Sequence, residues 1–186
     1  MKRIQLFEQY IFENSFKIYD KIMRDEELST FLGFLIHDKK HVLDNKSTSS
    51  ELEKIFKMVK GKNLNQPLYR GLYDEKIEEF VIGESYNFLR YQSFSENIET
   101  AQRFSKNGLI LKANTSVNGF NYGKYTEYSL KSLKKENPDL YLDIDGEFYI
   151  EFAIKEAEWL FPRTSKFIVE NINNQGSYTI ISGKIV

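Results

Sequence analysis

The chain has 186 residues, 26 of them basic and 27 acidic, and a formal net charge of −1. That balance makes no global electrostatic case for nucleic acid or an acidic membrane as the principal partner. No cysteine is present, which excludes disulfides, zinc–thiolate sites and thiol nucleophiles, and fits a reducing compartment such as the cytoplasm. Hydrophobic residues make up 41% and aromatics 15%, enough for a packed core in one domain with a small second lobe. Glu8, Glu13 and Asp20 interrupt the start of the chain, so no signal peptide is expected there. No run of 18 apolar residues occurs, and no membrane partner is expected.

The first 66 residues read as a helical lobe. Leu6, Phe7, Tyr10, Ile11, Ile18, Tyr19 and Ile22 fall on one stripe at helical spacing. Ser29 to Ile36 repeats the pattern briefly, and Asp38 to Ser50 is a polar loop. Ser49 or Ser50 is placed to cap a third helix running to about Lys60, with Leu52, Ile55, Phe56 and Val59 buried. From Pro67 the character changes to short strands alternating with brief helices. Strands are expected at Leu68–Leu72, Asn87–Phe94, Gly108–Thr115, Leu140–Ile144, Glu147–Ile154, Glu156–Phe161, Lys166–Asn171 and Ser177–Val186. Asp145-Gly146 is read as a hairpin turn, and Asn97–Ser105 and Tyr125–Lys135 as helices. The fold class is therefore α+β: a helical lobe over 1–66, then a mainly antiparallel body over 67–186.

Glu156 and Glu158 stand i, i+2 in an otherwise apolar run, Glu156-Ala157-Glu158-Trp159-Leu160-Phe161-Pro162. On a strand that spacing puts both carboxylates on one face, with Cα atoms about 6.5–7 Å apart. Such a pair suits chemistry in which one acid stabilises developing positive charge and the other moves a proton. Two upstream segments keep it company: Tyr69-Arg70-Gly71, and Tyr91-Gln92-Ser93-Phe94-Ser95 followed by Ala101-Gln102-Arg103-Phe104.

In order and spacing these three segments resemble the signatures of the Arg–Ser–Glu class of mono-ADP-ribosyltransferases. The likeness runs from about Pro67 to Asn171 and is nearest to small phage-encoded members with a helical N-terminal lobe. It departs at Phe94, where the class carries a threonine; on a strand that side chain faces away from Ser93 and Ser95. The resemblance implies a mainly antiparallel β-sandwich core and NAD as co-substrate, with no metal. Transfer would go to a host protein side chain, expected to be arginine because position 156 is acidic. It assigns Arg70 to the pyrophosphate, Gly71 and Ser95 to NAD, and Ser93 to orienting Glu158. Phe104 would stack on nicotinamide, with Phe120, Tyr122 or Tyr125 as further candidates. Glu158 would stabilise the oxocarbenium-like ribose as nicotinamide leaves, and Glu156 would deprotonate the acceptor. The stretch Phe148–Lys155 resembles an acceptor-recognition loop, with Tyr149 and Phe152 touching the target. An NAD glycohydrolase and a non-enzymatic binding module on the same scaffold are the competing readings.

The remaining clusters read more simply. His37 and His41 are four apart but lack further ligands, so a solvated surface explains them. Asp143 and Asp145 are accounted for by turn chemistry, and Lys131, Lys134 and Lys135 by a solvated helix face.

Overall fold

A computed structural model describes residues 16–33, 35, 49–59, 66–115 and 119–186. Leu6, Phe7, Tyr10, Ile11, His37 and His41 lie outside them. Residues 16–23 (α1) and 26–33 (α2) are helical. The third helix, α3, spans Ser50–Met58 and begins as its sequence indicates: Ser49 accepts a hydrogen bond from the Leu52 amide at 3.2 Å. Glu51 and Glu53 lie in its first turn and Lys57 in its last, both favourable to the helix dipole. Leu52, Ile55 and Phe56 face inward.

These helices do not form a separate core. Tyr19, Ile22, Leu32 and Ile55 pack in one cluster with Phe120, Tyr125 and Leu160 of the body. Burying each such side chain stabilises by about 1.5–3 kcal/mol. The Tyr91 phenol accepts from the Ser49 amide at 3.1 Å and donates to Glu53 at 3.0 Å. The lobe is thus clamped to the strand that follows Tyr91.

Among the described residues, eight strands form the body: β1 (Leu68–Gly71), β2 (Ser85–Asn87), β3 (Gln92–Ser95), β4 (Leu109–Thr115), β5 (Phe120–Asn121), β6 (Glu158–Phe161), β7 (Lys166–Gln175) and β8 (Tyr178–Ile185). Their order across the mixed sheet is β2-β7-β8-β4-β1-β3-β6-β5. The β4–β8 pairing is parallel and the others in this order are antiparallel. The expected Asn87–Phe94 strand is two strands, β2 against β7 and β3 against β6, with a bend between them. Helix α4 (Ile98–Phe104) follows β3.

The largest departure lies between β5 and β6. These neighbours are antiparallel, with Phe120 opposite Leu160 and Asn121 opposite Trp159, a pairing that a two-residue turn could close. Instead, residues 122–157 carry three helices: α5 (Tyr122–Glu136), α6 (Pro138–Asp143) and α7 (Gly146–Glu156). The strands expected at Leu140–Ile144 and Glu147–Ile154 are therefore helices. Apolar runs of this length do not separate strand from helix by periodicity alone, and the flanking chemistry decides. Pro138 sits in the first turn of α6, where its missing N–H costs nothing. Asn137 caps the same helix, accepting from the Leu140 amide at 3.2 Å. Asp145 takes a left-handed conformation (φ 55°, ψ 50°) and joins α6 to α7 rather than closing a hairpin. Gly146 follows because a Cβ there would lie 2.1 Å from the Tyr141 ring.

Candidate active site

The two acids do not share a strand. Glu156 is the last residue of α7, Ala157 is left-handed (φ 41°, ψ 53°), and β6 starts at Glu158. This reversal between helix and strand still brings both carboxylates to one cavity, by a route the i, i+2 spacing did not anticipate. Glu156 and Glu158 are 6% and 4% exposed, so neither side chain is on a solvated face. A left-handed alanine costs roughly 1–2 kcal/mol, and the surroundings hold it there.

Three successive carbonyls at this junction are gripped by the turn from β3 into α4. Thr100 Oγ1 donates to Lys155 O at 3.3 Å, Ser95 Oγ to Glu156 O, and the Glu96 amide to Ala157 O at 3.2 Å. The end of a helix leaves its last carbonyls without partners, and here side chains and backbone of a neighbouring segment supply them. Ser95 also accepts from the Asn97 amide at 2.9 Å. Its observed work is to fasten the junction. Trp159 Nε1 donates to Glu96 Oε1 at 2.8 Å and adds a further tie.

Ser93, Ser95, Glu158 and Leu160 share a sheet face, since Ser95 pairs with Glu158 and Ser93 with Leu160. Ser93 Oγ donates to Glu158 Oε1. Phe94 points the other way into the core, edge-on to Phe161 at 5.6 Å between ring centroids. The Phe-for-Thr departure therefore leaves the serine contact intact.

Arg70 reaches from β1 to Ser93, donating Nη1 to its carbonyl at 2.9 Å. Its Nε is buried without a hydrogen-bond partner. Burial pushes the guanidinium below its ordinary value, Glu75 and Glu158 pull it back up, and Arg90 opposes them; an arginine remains cationic throughout. An unpartnered buried donor costs about 1–3 kcal/mol. An anion that accepts from Nε would remove that cost, and a phosphate oxygen has the right chemistry.

Gly71 has a different neighbour from the one its sequence suggested. A Cβ there would lie 2.1 Å from Ala101 O and 2.6 Å from Ser105 N. The missing side chain lets α4 lie directly on β1. Ala101 is buried beside Ile110 and Ile180, whereas Phe104 at the helix end is 56% exposed, with the Arg103 guanidinium 5.9 Å from its ring centroid.

Beside Glu158 lies a cavity of about 40 Å³, lined by α5 (Tyr122, Gly123, Thr126), by α7 (Tyr149, Phe152, Ala153, Glu156) and by Glu158 itself. Five residues singled out in sequence, Tyr122, Tyr149, Phe152, Glu156 and Glu158, meet here. Arg70, Gly71, Ser95 and Phe104 do not line it. The stretch Phe148–Lys155, expected as a loop, belongs to α7.

Sequence reasoning misses Gly123 and Thr126, and holds Tyr122 as only one of three aromatic candidates. The available signal is Asn121, which caps α5 by accepting from the Lys124 amide at 2.8 Å and fixes which residues open the helix. Gly123 admits the junction: a Cβ would lie 2.9 Å from the Glu158 amide nitrogen. The Tyr122 hydroxyl donates to Leu32 O of α2 at 3.3 Å, linking the helical lobe to the cavity wall. Burial, aided by the charge of Glu158, pushes its phenol far above the ordinary value, so it stays a neutral donor. Phe120 and Tyr125 belong instead to the core shared with the lobe.

No family model matches the chain, and no curated protein matches it. Solved structures do. The ADP-ribosyltransferase Vis of Vibrio splendidus, solved with the M6 inhibitor, aligns with 92% of this chain and 67% of its own, at 16% identity and a TM-score of 0.51. An ADP-ribosyltransferase from Clostridium botulinum aligns over 91% of this chain and 90% of its own, at 12% identity and a TM-score of 0.55. Exoenzyme S from Pseudomonas aeruginosa, in complex with human 14-3-3 protein beta and bound to carba-NAD, aligns over 91% and 88%, at 11% identity and 0.51. The chain has the ADP-ribosyltransferase fold. At these identities the likeness establishes architecture alone, and residue roles rest on the geometry above.

Proposed function

We infer that the chain is a mono-ADP-ribosyltransferase of the Arg–Ser–Glu class, moving ADP-ribose from NAD to an arginine of a host protein in the cytoplasm. The observation that carries this reading is the Ser93–Glu158 hydrogen bond beside a cavity that also holds the Glu156 carboxylate. The Arg70 guanidinium, with its unpartnered Nε, receives the pyrophosphate of NAD. Glu158, held by Ser93, accepts from a ribose hydroxyl and stabilises the cation that develops as the glycosidic C–N bond breaks. Nicotinamide leaves with the bonding pair. A guanidinium nitrogen of the acceptor then forms the new bond to the anomeric carbon, and Glu156 takes the proton it loses. Tyr149 and Phe152 flank that acceptor. Two structural neighbours support the ligand chemistry: exoenzyme S was solved with carba-NAD and Vis with agmatine, a guanidino compound.

The test is incubation with labelled NAD and a soluble protein extract, beside Glu158→Gln, followed by mass spectrometry. A labelled protein whose signal falls about 10²–10³-fold in the variant supports the reading, because that is the usual worth of one such electrostatic group. Full activity in Glu158→Gln would sink it. Alanine at Tyr149 or Phe152 should lower protein labelling more than NAD hydrolysis.

One observation favours a second reading, NAD glycohydrolysis: a cavity of about 40 Å³ accommodates a water more readily than a guanidinium. Free ADP-ribose without labelled protein would select it.

A further inference from the structure

We propose that the cavity beside Glu158 binds an ordered water, held by the Thr126 hydroxyl of α5 and the two acids as the nucleophile for NAD hydrolysis. This deepens the hydrolytic reading of the site and rests on its being a ribosyl-transfer centre.

Thr126 carries the inference. It is 4% exposed, it lines the cavity, and its Oγ1 is buried without a hydrogen-bond partner. A helical threonine ordinarily gives its hydroxyl to the carbonyl three or four residues earlier. Ser129 in the same helix does so, donating to Thr126 O at 3.1 Å. Thr126 does not. It stands near the Tyr122 phenol without the geometry of a hydrogen bond, and that phenol donates to Leu32 O. Three other hydroxyls near the acids have partners: Ser93 donates to Glu158, Ser95 to Glu156 O and Thr100 to Lys155 O. A buried hydroxyl left unpaired is destabilising, and the cavity is the space from which a partner can reach it.

Size and chemistry select water. The cavity measures about 40 Å³, against the roughly 10–15 Å³ that a water requires, along with two to four polar partners. Thr126, Glu156 and Glu158 bring three such groups to its walls. A carboxylate accepts at about four lone-pair sites, so Glu158 has capacity for Ser93 and a water together. Thr126 and Glu156 line one cavity yet do not bond to each other, and a water bridges such a pair.

In hydrolysis the glycosidic C–N bond breaks and nicotinamide leaves with the bonding pair. The water oxygen forms the new bond to the anomeric carbon, and Glu158 takes the proton it loses. Glu156 only accepts from the water, a role that glutamine keeps. A guanidinium acceptor pairs with a carboxylate through two parallel N–H···O bonds and has no need of Thr126. The threonine therefore favours hydrolysis over transfer.

The test joins crystal structures of the parent and Thr126→Val to kinetics of the parent, Thr126→Val and Thr126→Ser. Each enzyme is given labelled NAD with water alone or with excess agmatine. The expected density shows a water within hydrogen-bond distance of Thr126 Oγ1 and of one acid, and none there in the valine variant. In Thr126→Val, kcat for hydrolysis should fall about tenfold with KM for NAD little changed, and Thr126→Ser should restore it. The ratio of agmatine transfer to hydrolysis should rise at least fivefold in the valine variant. A dry cavity in the parent overturns the water site, and unchanged hydrolysis in Thr126→Val overturns its part in the reaction. Equal losses of hydrolysis and transfer, a loss that serine does not restore, or Thr126 Oγ1 bonded to the Tyr122 phenol also overturns the proposal. A parent that consumes no NAD overturns the reading of the site and the hydrolytic role with it, even where the water is seen.

Discussion

Glu158 has two unlike neighbourhoods. On one side, β3 brings Ser93, which donates a hydrogen bond to Glu158, and β1 brings Arg70, which donates to the Ser93 carbonyl. On the other side, helices α5 and α7 bring Tyr122, Thr126, Tyr149, Phe152 and Glu156, held by a helix end and a strained residue. In the proposed reaction the strand side holds the donor, through Arg70, Ser93 and Glu158. In that reaction the helical side meets the acceptor, through a 36-residue stretch between β5 and β6 that strand pairing alone does not call for.

The comparison breaks most visibly at Glu158, which both sides share. Glu158→Gln should cost about 10²–10³ in every activity, whether hydrolysis or transfer, measured as NAD consumption. A smaller loss confined to one acceptor would mean that the acid belongs to the helical side alone. The next two variants separate the sides. Arg70→Lys keeps the charge but loses the planar fork, so KM for NAD should rise about tenfold, the worth of roughly 1.4 kcal/mol, with the acceptor KM unchanged. Glu156→Gln should do the reverse, preserving hydrolysis while protein modification falls. Equal loss of both activities in the glutamine variant would remove Glu156 from its acceptor role.

How much of this was legible follows the same division. The strand side could be read because Arg70, Ser93 and Glu158 sit in short strands whose pairing preserves sequence spacing, and because Phe94 occupies the face that the alternation assigned to it. The N-terminal lobe yielded its third helix for a similar reason: the Ser49 cap and the stripe at Leu52, Ile55 and Phe56 are local signals. The stretch between β5 and β6 resisted. Its runs Leu140–Ile144 and Glu147–Ile154 are rich in the branched and aromatic residues that favour strands. Their helical state is set by Pro138, by the Asn137 cap and by tertiary packing of Gly146 on Tyr141. Gly71 shows a subtler gap: the sequence marks the glycine, but not that α4 is what presses on it.

Alkaline conditions should loosen the helical side by a smaller amount. Burial raises the phenols of Tyr19, Tyr91, Tyr122 and Tyr125, with Tyr91 and Tyr125 pushed up to about 12. Unfolded phenols titrate near pH 10 (an approximate value), so above that pH the unfolded chain releases protons that the folded chain retains. Their contribution to stability is intact below about pH 10 and declines as pH rises toward the folded values. Thermal melts between neutral pH and pH 11 should therefore show Tm constant at first and then falling, with the helical signal lost no later than the sheet. A Tm that rises across that range would contradict the burial of these rings.

The smallest effect is expected at the hinge between the two sides. Ala157 carries a left-handed backbone penalty of roughly 1–2 kcal/mol, partly offset because glycine there would enlarge the unfolded ensemble by about 0.5–1 kcal/mol. Ala157→Gly should therefore raise stability by up to about 1 kcal/mol, a Tm increase of roughly 2–4 °C for a chain of this size. Activity should move the other way. The strained residue, fixed by Thr100, Ser95 and Glu96 on the three carbonyls around it, sets the angle between the Glu156 and Glu158 side chains. A freer hinge lets that angle wander, so protein modification should drop several-fold while hydrolysis, which needs only Glu158, changes little. A variant less stable than the parent would show that the left-handed geometry carries no strain. One more stable with unaltered transfer would show that the two acids act without a fixed angle between them.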